Sequence, residues 1–441
     1  MRQTTGKFLT PTSPKLLFLA IALSFHASWC AAQDKDAKSD ATTKAAVDAA
    51  IQAIKSAGEP VTLSELNAWY PEPPTDKNAA PLYADAFALV ENDSESPNFV
   101  SKNQKALELL HLASARSSCR FPVDLSKGWE ASLPPFGKMK VCGLLLRDAA
   151  IQQARKGRSD AAAESCLDGL GLIQSLAQVP MLISQLVRFA CVPYSVSAAE
   201  QCQNLKPFTE LQLVSLQSRF RKIRHSDTES LVRSLITERC MAIAVFQSPP
   251  EEAAAIYRKI HQIGESAGLP SAMPDLSQTV NHQTLQSDLL FYLTQVNLLI
   301  AAAKNSFPKA LDQGRKFESN LQAENRVLPI TFMASLPKAV ERAAMAAGYS
   351  AAAEAGLAVE RFRIANHDSL PTSLDQLVPK YLQAVPADPF DAKPIRLKKL
   401  SPAGFATYSI GPNLQDDDAT PKPPSGQGGA TSYDLTFTVK R

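Results

Sequence analysis

Residues 357–413 constrain the fold more than any other stretch, because their pattern changes from helical to proline-punctuated and then to strand-like. Apolar Leu357, Phe362 and Ala365 recur at helical spacing with charged residues between them. Pro371 ends that helical pattern. Four further prolines prevent long regular structure after it: Pro379, Pro386, Pro389 and Pro394. We therefore expect a long amphipathic helix followed by irregular chain.

Three short stretches after this helix have the composition or the alternation of β-strands. They are residues 395–397, 405–410 and 433–439, and the last alternates strictly between apolar and polar positions. A long helix and a small antiparallel sheet bury one another's apolar faces. We therefore expect a small α+β domain of one long helix plus about three antiparallel strands at residues 334–441.

This order of elements resembles the C-terminal domain of the type II secretion major pseudopilin. Short motifs carry the resemblance: Asn366 followed by Leu370-Pro371-Thr372, the turn at 374–378, Asp388-Pro389-Phe390 and Tyr408-Ser409-Ile410-Gly411. It covers residues 334–441 and implies a related fold. A pseudopilin begins with its membrane helix, preceded by a short leader that a dedicated peptidase removes. This chain lacks the glycine–phenylalanine cleavage signature and the long apolar N-terminal helix, so a filament subunit is not implied. The whole chain also resembles a type of secreted bacterial protein in which a helical body precedes such a unit, a likeness that implies no activity.

An acidic loop precedes the last predicted strand. It begins at Asp416-Asp417-Asp418 and continues to Gly428 and Gly429. In major pseudopilins the equivalent loop binds calcium, so the resemblance implies Asp416, Asp418 and Asp434 as metal ligands. Calcium prefers several carboxylate and carbonyl oxygens in a flexible loop. The loop is long and contains three prolines, so a solvated acidic turn stays open as the alternative.

The N-terminus, residues 1–32, has the pattern of a secretory signal peptide. Basic residues precede an apolar run at 16–25 that is too short to span a bilayer, and small residues follow at 28–32. We expect cleavage after Ala32, a polar linker at 33–43 and an exported protein, periplasmic or extracellular. Lipidation at Cys30 is the alternative, which the bulky Trp29 before it disfavours. No later continuous apolar run reaches about 18 residues, so we expect no membrane span after cleavage.

Amphipathic helical patterns separated by proline and glycine fill residues 44–330, where we expect one helical domain. Thr62 is placed to cap a short helix. Patterns at 141–155 and 160–177 resemble a tetratricopeptide-type hairpin, although no second copy recurs at a fixed period. Later helices are expected at 181–202, kinked or broken at Pro193, then at 209–223 and 228–246. The predicted fold class is therefore mainly α: a helical bundle or solenoid-like body, followed by the α+β domain.

Composition and cysteine spacing exclude several classes of function. The formal net charge is +3 and charged residues make up 20%, without a basic patch interleaved with aromatics, so we expect no nucleic-acid partner. After signal cleavage six cysteines remain, all in the helical body and without a Cys-x-x-Cys or a nearby histidine. We expect buried small apolar residues with one or two disulfides.

No catalytic motif stands out. Ser335 and Lys338 match Ser-x-x-Lys by letters, but Pro337 between them favours a helix start. Ser350 lies in a helical pattern rather than after a strand. The histidines have no ligand spacing, and no phosphate-binding loop exists. Glu238 and Arg239, in an otherwise apolar helix, are interpreted as a buried ion pair.

We therefore expect a non-catalytic exported protein with a binding or envelope-assembly role, and with a protein partner in the cell envelope. It would act through a helical scaffold and a pseudopilin-like module. Two alternatives stay open. One is a hydrolase-type enzyme whose cleft site no motif reveals. The other is a calcium-stabilised structural protein.

The signal-peptide prediction defines the first residue of the mature protein. When the full chain is expressed in a bacterium with an intact export system, the exported protein should begin at Gln33, because small residues precede the cut. Intact-mass measurement and N-terminal sequencing of the envelope fraction check this. A chain that begins at an acylated Cys30 would establish lipidation instead, and a chain that retains Met1 would contradict cleavage.

Overall fold

The computed structural model describes residues 36–266, 280–323, 327–423 and 432–441. Within these ranges the chain forms 14 helices and a three-stranded antiparallel sheet, with 66% helix. The predicted mainly α class is therefore confirmed. The predicted signal peptide at 1–32 lies outside the described residues.

The described α-helices are numbered in chain order. The first seven are α1 (Asp36–Ser56), α2 (Leu63–Ala68), α3 (Ala80–Leu89), α4 (Phe99–Lys102), α5 (Gln104–Ser114), α6 (Phe136–Arg155) and α7 (Ser159–Ser175). The other seven are α8 (Leu182–Leu205), α9 (Glu210–Phe246), α10 (Pro250–Ser266), α11 (His282–Asn305), α12 (Phe307–Ala323), α13 (Val327–Met333) and α14 (Leu336–Ala365).

By its internal contacts the chain divides into two compact units. The first contains the described residues of 36–58 and 246–295, and the second contains those of 59–245 and 296–441. In the first unit, α1 begins inside the predicted linker, because its polar residues include the good helix formers alanine and lysine. The rings of Phe246 and Tyr292 lie 5.7 Å apart there, and both side chains are buried.

In the second unit, local signals explain how short elements begin. Thr62 caps α2 as predicted: its hydroxyl accepts from the Glu65 amide at 3.2 Å, and the Glu65 carboxylate accepts from the Thr62 amide at 3.0 Å. This reciprocal pair satisfies two amides that the helix cannot. The antiparallel neighbours α6, α7 and α8 then pack against one another, and α5 packs on α7.

One predicted helix boundary is wrong: α9 continues across 223–228, where we expected a break. Helix α8 continues through Pro193, so of the two expected outcomes there, a kink or a break, the break does not occur. The reason why α9 continues is a buried side chain from α8. The Arg188 guanidinium donates to Asp227 at 2.5 Å and to Ser226 at 2.7 Å. Both acceptors are neighbouring residues in the middle of the segment 223–228, so these bonds stabilise its helical conformation.

Helix α8 has the length and the average hydropathy of a membrane-spanning helix, although it contains no continuous apolar run of about 18 residues. In the described ranges it is the one helix long and apolar enough to cross a membrane by length and composition. Polar Gln185 and Arg188 interrupt its apolar sequence. Because 67% of its most apolar window is buried inside the protein, α8 has the burial of a core helix.

The sheet has the predicted three strands: β1 (Arg396–Lys399), β2 (Phe405–Ser409) and β3 (Leu435–Val439). They are antiparallel in the order β1-β2-β3, and Tyr408 of the central strand pairs with Arg396 and Thr436. All residues of β2 and β3 are buried. The strands are short because prolines and turns bound them.

Helix α14 is the central element of the second unit. It packs against β2 and β3, and also against α8 and α12, so most of its residues are buried. Glycines allow the close approach to the sheet. A Cβ on Gly356 would collide with the ring of Phe437 and lie 2.9 Å from the Thr407 hydroxyl oxygen. A Cβ on Gly348 would lie 2.9 Å from Leu435.

Charged and polar groups also fasten α14 to its neighbours. The Glu354 carboxylate accepts from Arg221 and Arg224 of α9, each at 2.9 Å. Glu360 accepts from Gln203 of α8 and from the C-terminal Arg441 at 3.1 Å. Because these carboxylates are buried but paired, they specify how α14 is placed against α8 and α9.

The six described cysteines are free thiols, and five of them are buried. Burial as small apolar residues is therefore confirmed, whereas the predicted disulfides are not formed in the structure. Burial raises the pKa of Cys142 and of Cys191 to about 12, so both stay protonated. They fill core positions between helices rather than acting as nucleophiles.

Substitution of Gly356 tests the contact between α14 and the sheet. Gly356→Ala should lower the free energy of unfolding by about 1–3 kcal/mol, because the methyl group meets the fully buried Phe437. Urea unfolding measures the loss. Gly137→Ala in α6 is the matched control, since a Cβ atom added to Gly137 would have no neighbouring atom within 4 Å. That variant should be neutral or stabilised, and equal stability of both variants would contradict the close approach.

Candidate functional site

Asp434, one of the three predicted calcium ligands, lies at the start of β3 and is buried. Its two carboxylate oxygens accept from the backbone amides of Asp417 at 3.3 Å and Ala419 at 2.8 Å. Burial raises the pKa of Asp434 to about 6. The side chain thus holds the acidic loop against the sheet.

Asp416 and Asp418, the other two predicted ligands, contact basic and hydroxyl groups of the sheet. Asp416 accepts from the Tyr408 hydroxyl at 3.2 Å and lies 3.4 Å from Nε of Arg396. Asp418 pairs with Lys398 at 2.6 Å and is largely exposed. Each carboxylate therefore already has a cationic or hydrogen-bonding partner.

Within the ranges that the structure describes, no group of three or more histidine, cysteine, aspartate and glutamate side chains is placed to hold a metal ion. Gly428 and Gly429 of the predicted loop lie outside the described residues. Calcium binding by Asp416, Asp418 and Asp434 stays a prediction.

A different carboxylate, Asp388, organises this end of the sheet. It accepts from the amides of Phe390 at 2.9 Å and Ile410 at 3.0 Å, and from the Ser409 hydroxyl at 2.8 Å. Arg396 donates to it at 2.8 Å. Because all its lone pairs have donors, Asp388 joins the proline-rich loop to β2 and is structural.

The interpretation of Glu238 and Arg239 as an ion pair is wrong. Arg239 pairs instead with Glu59 at 2.5 Å and donates to Asn297 at 2.8 Å. Glu238 is buried and accepts from the amide of Leu182, the first residue of α8. Consecutive residues of a helix do not face each other, so the two charges point to different neighbours. Burial raises the pKa of Glu238 to about 7.

A cluster of His111, Ser114 and Asp168, which the sequence did not reveal, lies between α5 and α7. The His111 imidazole Nδ1 lies 3.1 Å from the Asp168 carboxylate, and the Ser114 hydroxyl donates to the same carboxylate. Burial raises the pKa of Asp168. Because Ser114 donates to Asp168 rather than to His111, the cluster contains no serine–histidine pair of nucleophile and base.

The serine motifs are parts of helix α14. Ser335 precedes its first turn as predicted, although its side chain makes no capping hydrogen bond, and Lys338 pairs with Glu341 at 3.1 Å. Ser350 is buried inside the same helix. Neither Ser335 nor Ser350 lines either of the two described cavities.

A cavity of about 640 Å³ lies in the second unit. Five segments line it: residues 70–73, residues 79–83 at the start of α3, residues 113–120 at and after the end of α5, residues 171–178 at the end of α7, and α9. Hydrogen bonds between Asn78 and Arg120, at 3.1 and 2.9 Å, join the chain just before α3 to the segment 113–120. Five lining side chains are cationic: Arg116, Arg120, Arg219, Lys222 and Arg233.

Glu238 gives the protein a pH-dependent stability. Its pKa is raised on folding, so its neutral form contributes to the free energy of unfolding. This contribution is fully present below about pH 4.5 and is lost as the pH rises through about 7. Glu238→Gln should therefore gain up to about 3 kcal/mol in free energy of unfolding over the parent between pH 5 and 8. Urea unfolding at both pH values measures this difference.

The control is Asp312→Asn. A hydrogen bond from Lys316 lowers the pKa of this exposed carboxyl, so its contribution changes only below that window. A pH-independent difference between Glu238→Gln and the parent would show that Glu238 is not held in an environment that favours its neutral form.

Comparisons of the chain with models of protein families, with curated proteins and with solved structures find no match. The function proposed below therefore rests on the geometry of the chain itself.

Proposed function

We propose that the protein is a non-catalytic exported binding protein whose helical scaffold holds a ligand in the cavity of the second unit. The observation that carries this proposal is the cavity itself. Its volume of about 640 Å³ lies in the range typical of small-molecule sites. Segments from residue 70 to residue 233 enclose it, so the scaffold builds the site from distant parts of the chain.

The lining supports binding rather than bond-making chemistry. Burial raises the pKa of Cys119 to about 12, so the thiol in the cavity wall is protonated and a weak nucleophile. The carboxylate of the lining, Glu72, pairs with Arg120 at 2.6 Å. Among the described residues that line the cavity there is no histidine. A histidine that could act as general base in contact with the ligand is therefore lacking in that lining.

The hydrolase alternative would use the cluster of His111, Asp168 and Ser114. Ser114 lines the cavity, but its proton is directed to Asp168. His111 is half exposed and faces Glu164 at 3.6 Å on its other side. This arrangement supports a structural link between α5 and α7 more than an activated nucleophile.

The C-terminal region completes the proposal as a pseudopilin-like unit with a role in the cell envelope. A long helix, α14, followed by a three-stranded antiparallel sheet supports that likeness. The Thr438 amide donates to Glu200 of α8 at 2.7 Å, and the Lys440 amide donates to Asn204 at 2.7 Å. Because these bonds join β3 to the helical body, the unit is built into the scaffold, and point substitutions are better probes than truncation.

Filling the cavity should abolish binding. A melting-temperature screen of the full chain against neutral, cationic and anionic metabolite-sized compounds should identify at least one that stabilises it. A hundredfold excess over the Kd adds about 2.7 kcal/mol to the free energy of unfolding. Ser117→Trp, at an exposed lining position, should remove that shift.

Ser132→Trp is the matched control, because Ser132 is also exposed and lies outside the cavity lining. It should keep the parent's response. If no compound of any charge class stabilises the parent, the binding proposal fails. If Ser114→Ala abolishes a hydrolytic activity of the full chain, the enzyme alternative replaces it.

A further inference from the structure

We propose that the cavity binds a small organic molecule that carries at least two negatively charged oxyanion groups, carboxylates or phosphates. This inference rests on the proposed binding function and assigns its ligand class. The lining contains five cationic side chains and one carboxylate, Glu72. A concave site with such a surplus of positive charge concentrates anions and orients them.

The unneutralised charge comes mainly from α9. Arg219 and Lys222 lie one turn apart on its cavity face. In the described part of the chain neither residue forms an ion pair or a hydrogen bond. Arg116, across the cavity, donates to the backbone carbonyl of Asp76, which is a neutral acceptor. Three cations therefore share the cavity without a carboxylate partner.

The other two cations are held in place by their surroundings. Arg120 stacks over the Tyr70 ring at 4.4 Å and donates to the Tyr70 carbonyl at 3.1 Å. Arg233 lies over the Trp69 ring at 4.8 Å, and its partner Glu229 is 3.5 Å away and exposed. A guanidinium fixed on an aromatic ring keeps donors free for a second, bidentate partner.

Elsewhere in the molecule the buried cations have their own carboxylates. Arg188 pairs with Asp227, Arg239 pairs with Glu59, and Arg363 pairs with Glu360. These pairs show how the fold treats a structural cation. Arg219 is half-buried and Lys222 is exposed, both line the cavity, and no carboxylate of the described chain pairs with either, so an anionic ligand in the cavity can contact both.

The rest of the lining sets the shape and polarity of the ligand. Tyr70, Pro71, Pro73 and Tyr83 provide an apolar wall for a carbon skeleton. Ser117 adds an exposed hydroxyl, and Gln174 adds a buried carbonyl oxygen that has no hydrogen-bond partner.

Titration calorimetry of the full chain at low salt tests the ligand class with two probes, pyrophosphate for phosphates and citrate for carboxylates. At least one should bind, and Arg219→Gln/Lys222→Gln should weaken that probe at least tenfold. Its affinity should also fall as salt rises, because exposed charges are screened. The probe that binds identifies the source of the charge.

Lys105→Gln/Lys140→Gln is the matched control, because it removes the same charge from exposed helical positions outside the lining. It should bind as the parent does. Equal weakening in both double variants would overturn the proposal in favour of a net-charge effect. If neither probe binds while a neutral compound gives a shift that Ser117→Trp removes, the ligand class is wrong and the proposed function survives.

Discussion

The close contact between helix α14 and the sheet is the constraint on which the second unit depends. Gly348 and Gly356 let the helix approach β2 and β3 so closely that a methyl group at Gly356 would strike Phe437. The Thr407 hydroxyl donates to the Ala352 carbonyl at 2.7 Å across the same contact. Because α14 also packs on α8, the sheet and the helical body share one core. The layers must therefore form together.

Buried charges then specify how these layers fit. Glu354 links α14 to α9, Glu360 links it to α8 and to the C-terminus, and the pair of Arg188 and Asp227 joins α8 to α9. A buried pair adds little net stability against an apolar replacement, but losing one partner leaves an unpaired buried charge. Such pairs penalise wrong arrangements of the helices more than they strengthen the right one.

The same comparison separates structural from functional charge. Structural cations in this fold contact carboxylates, whereas Arg219 and Lys222 line the cavity without an ion-pair partner in the described chain. Neighbouring cations repel each other, and a bound anion relieves that repulsion. We therefore propose the cavity, rather than the acidic loop, as the recognition site. In the loop, Asp416 and Asp418 already contact Arg396 and Lys398.

Local sequence by itself determined the mainly α class, the cap at Thr62, the long helix before Pro371 and the three short strands. These features depend on periodicity and on proline geometry within a few residues. Only the tertiary structure decided that α9 continues through 223–228 and that Glu238 and Arg239 contact different neighbours. It also decided that the His111 imidazole lies beside the Asp168 carboxylate. It alone also assembled the cavity, because Tyr70, Arg116 and Arg219 belong to segments whose distance in space no local pattern encodes.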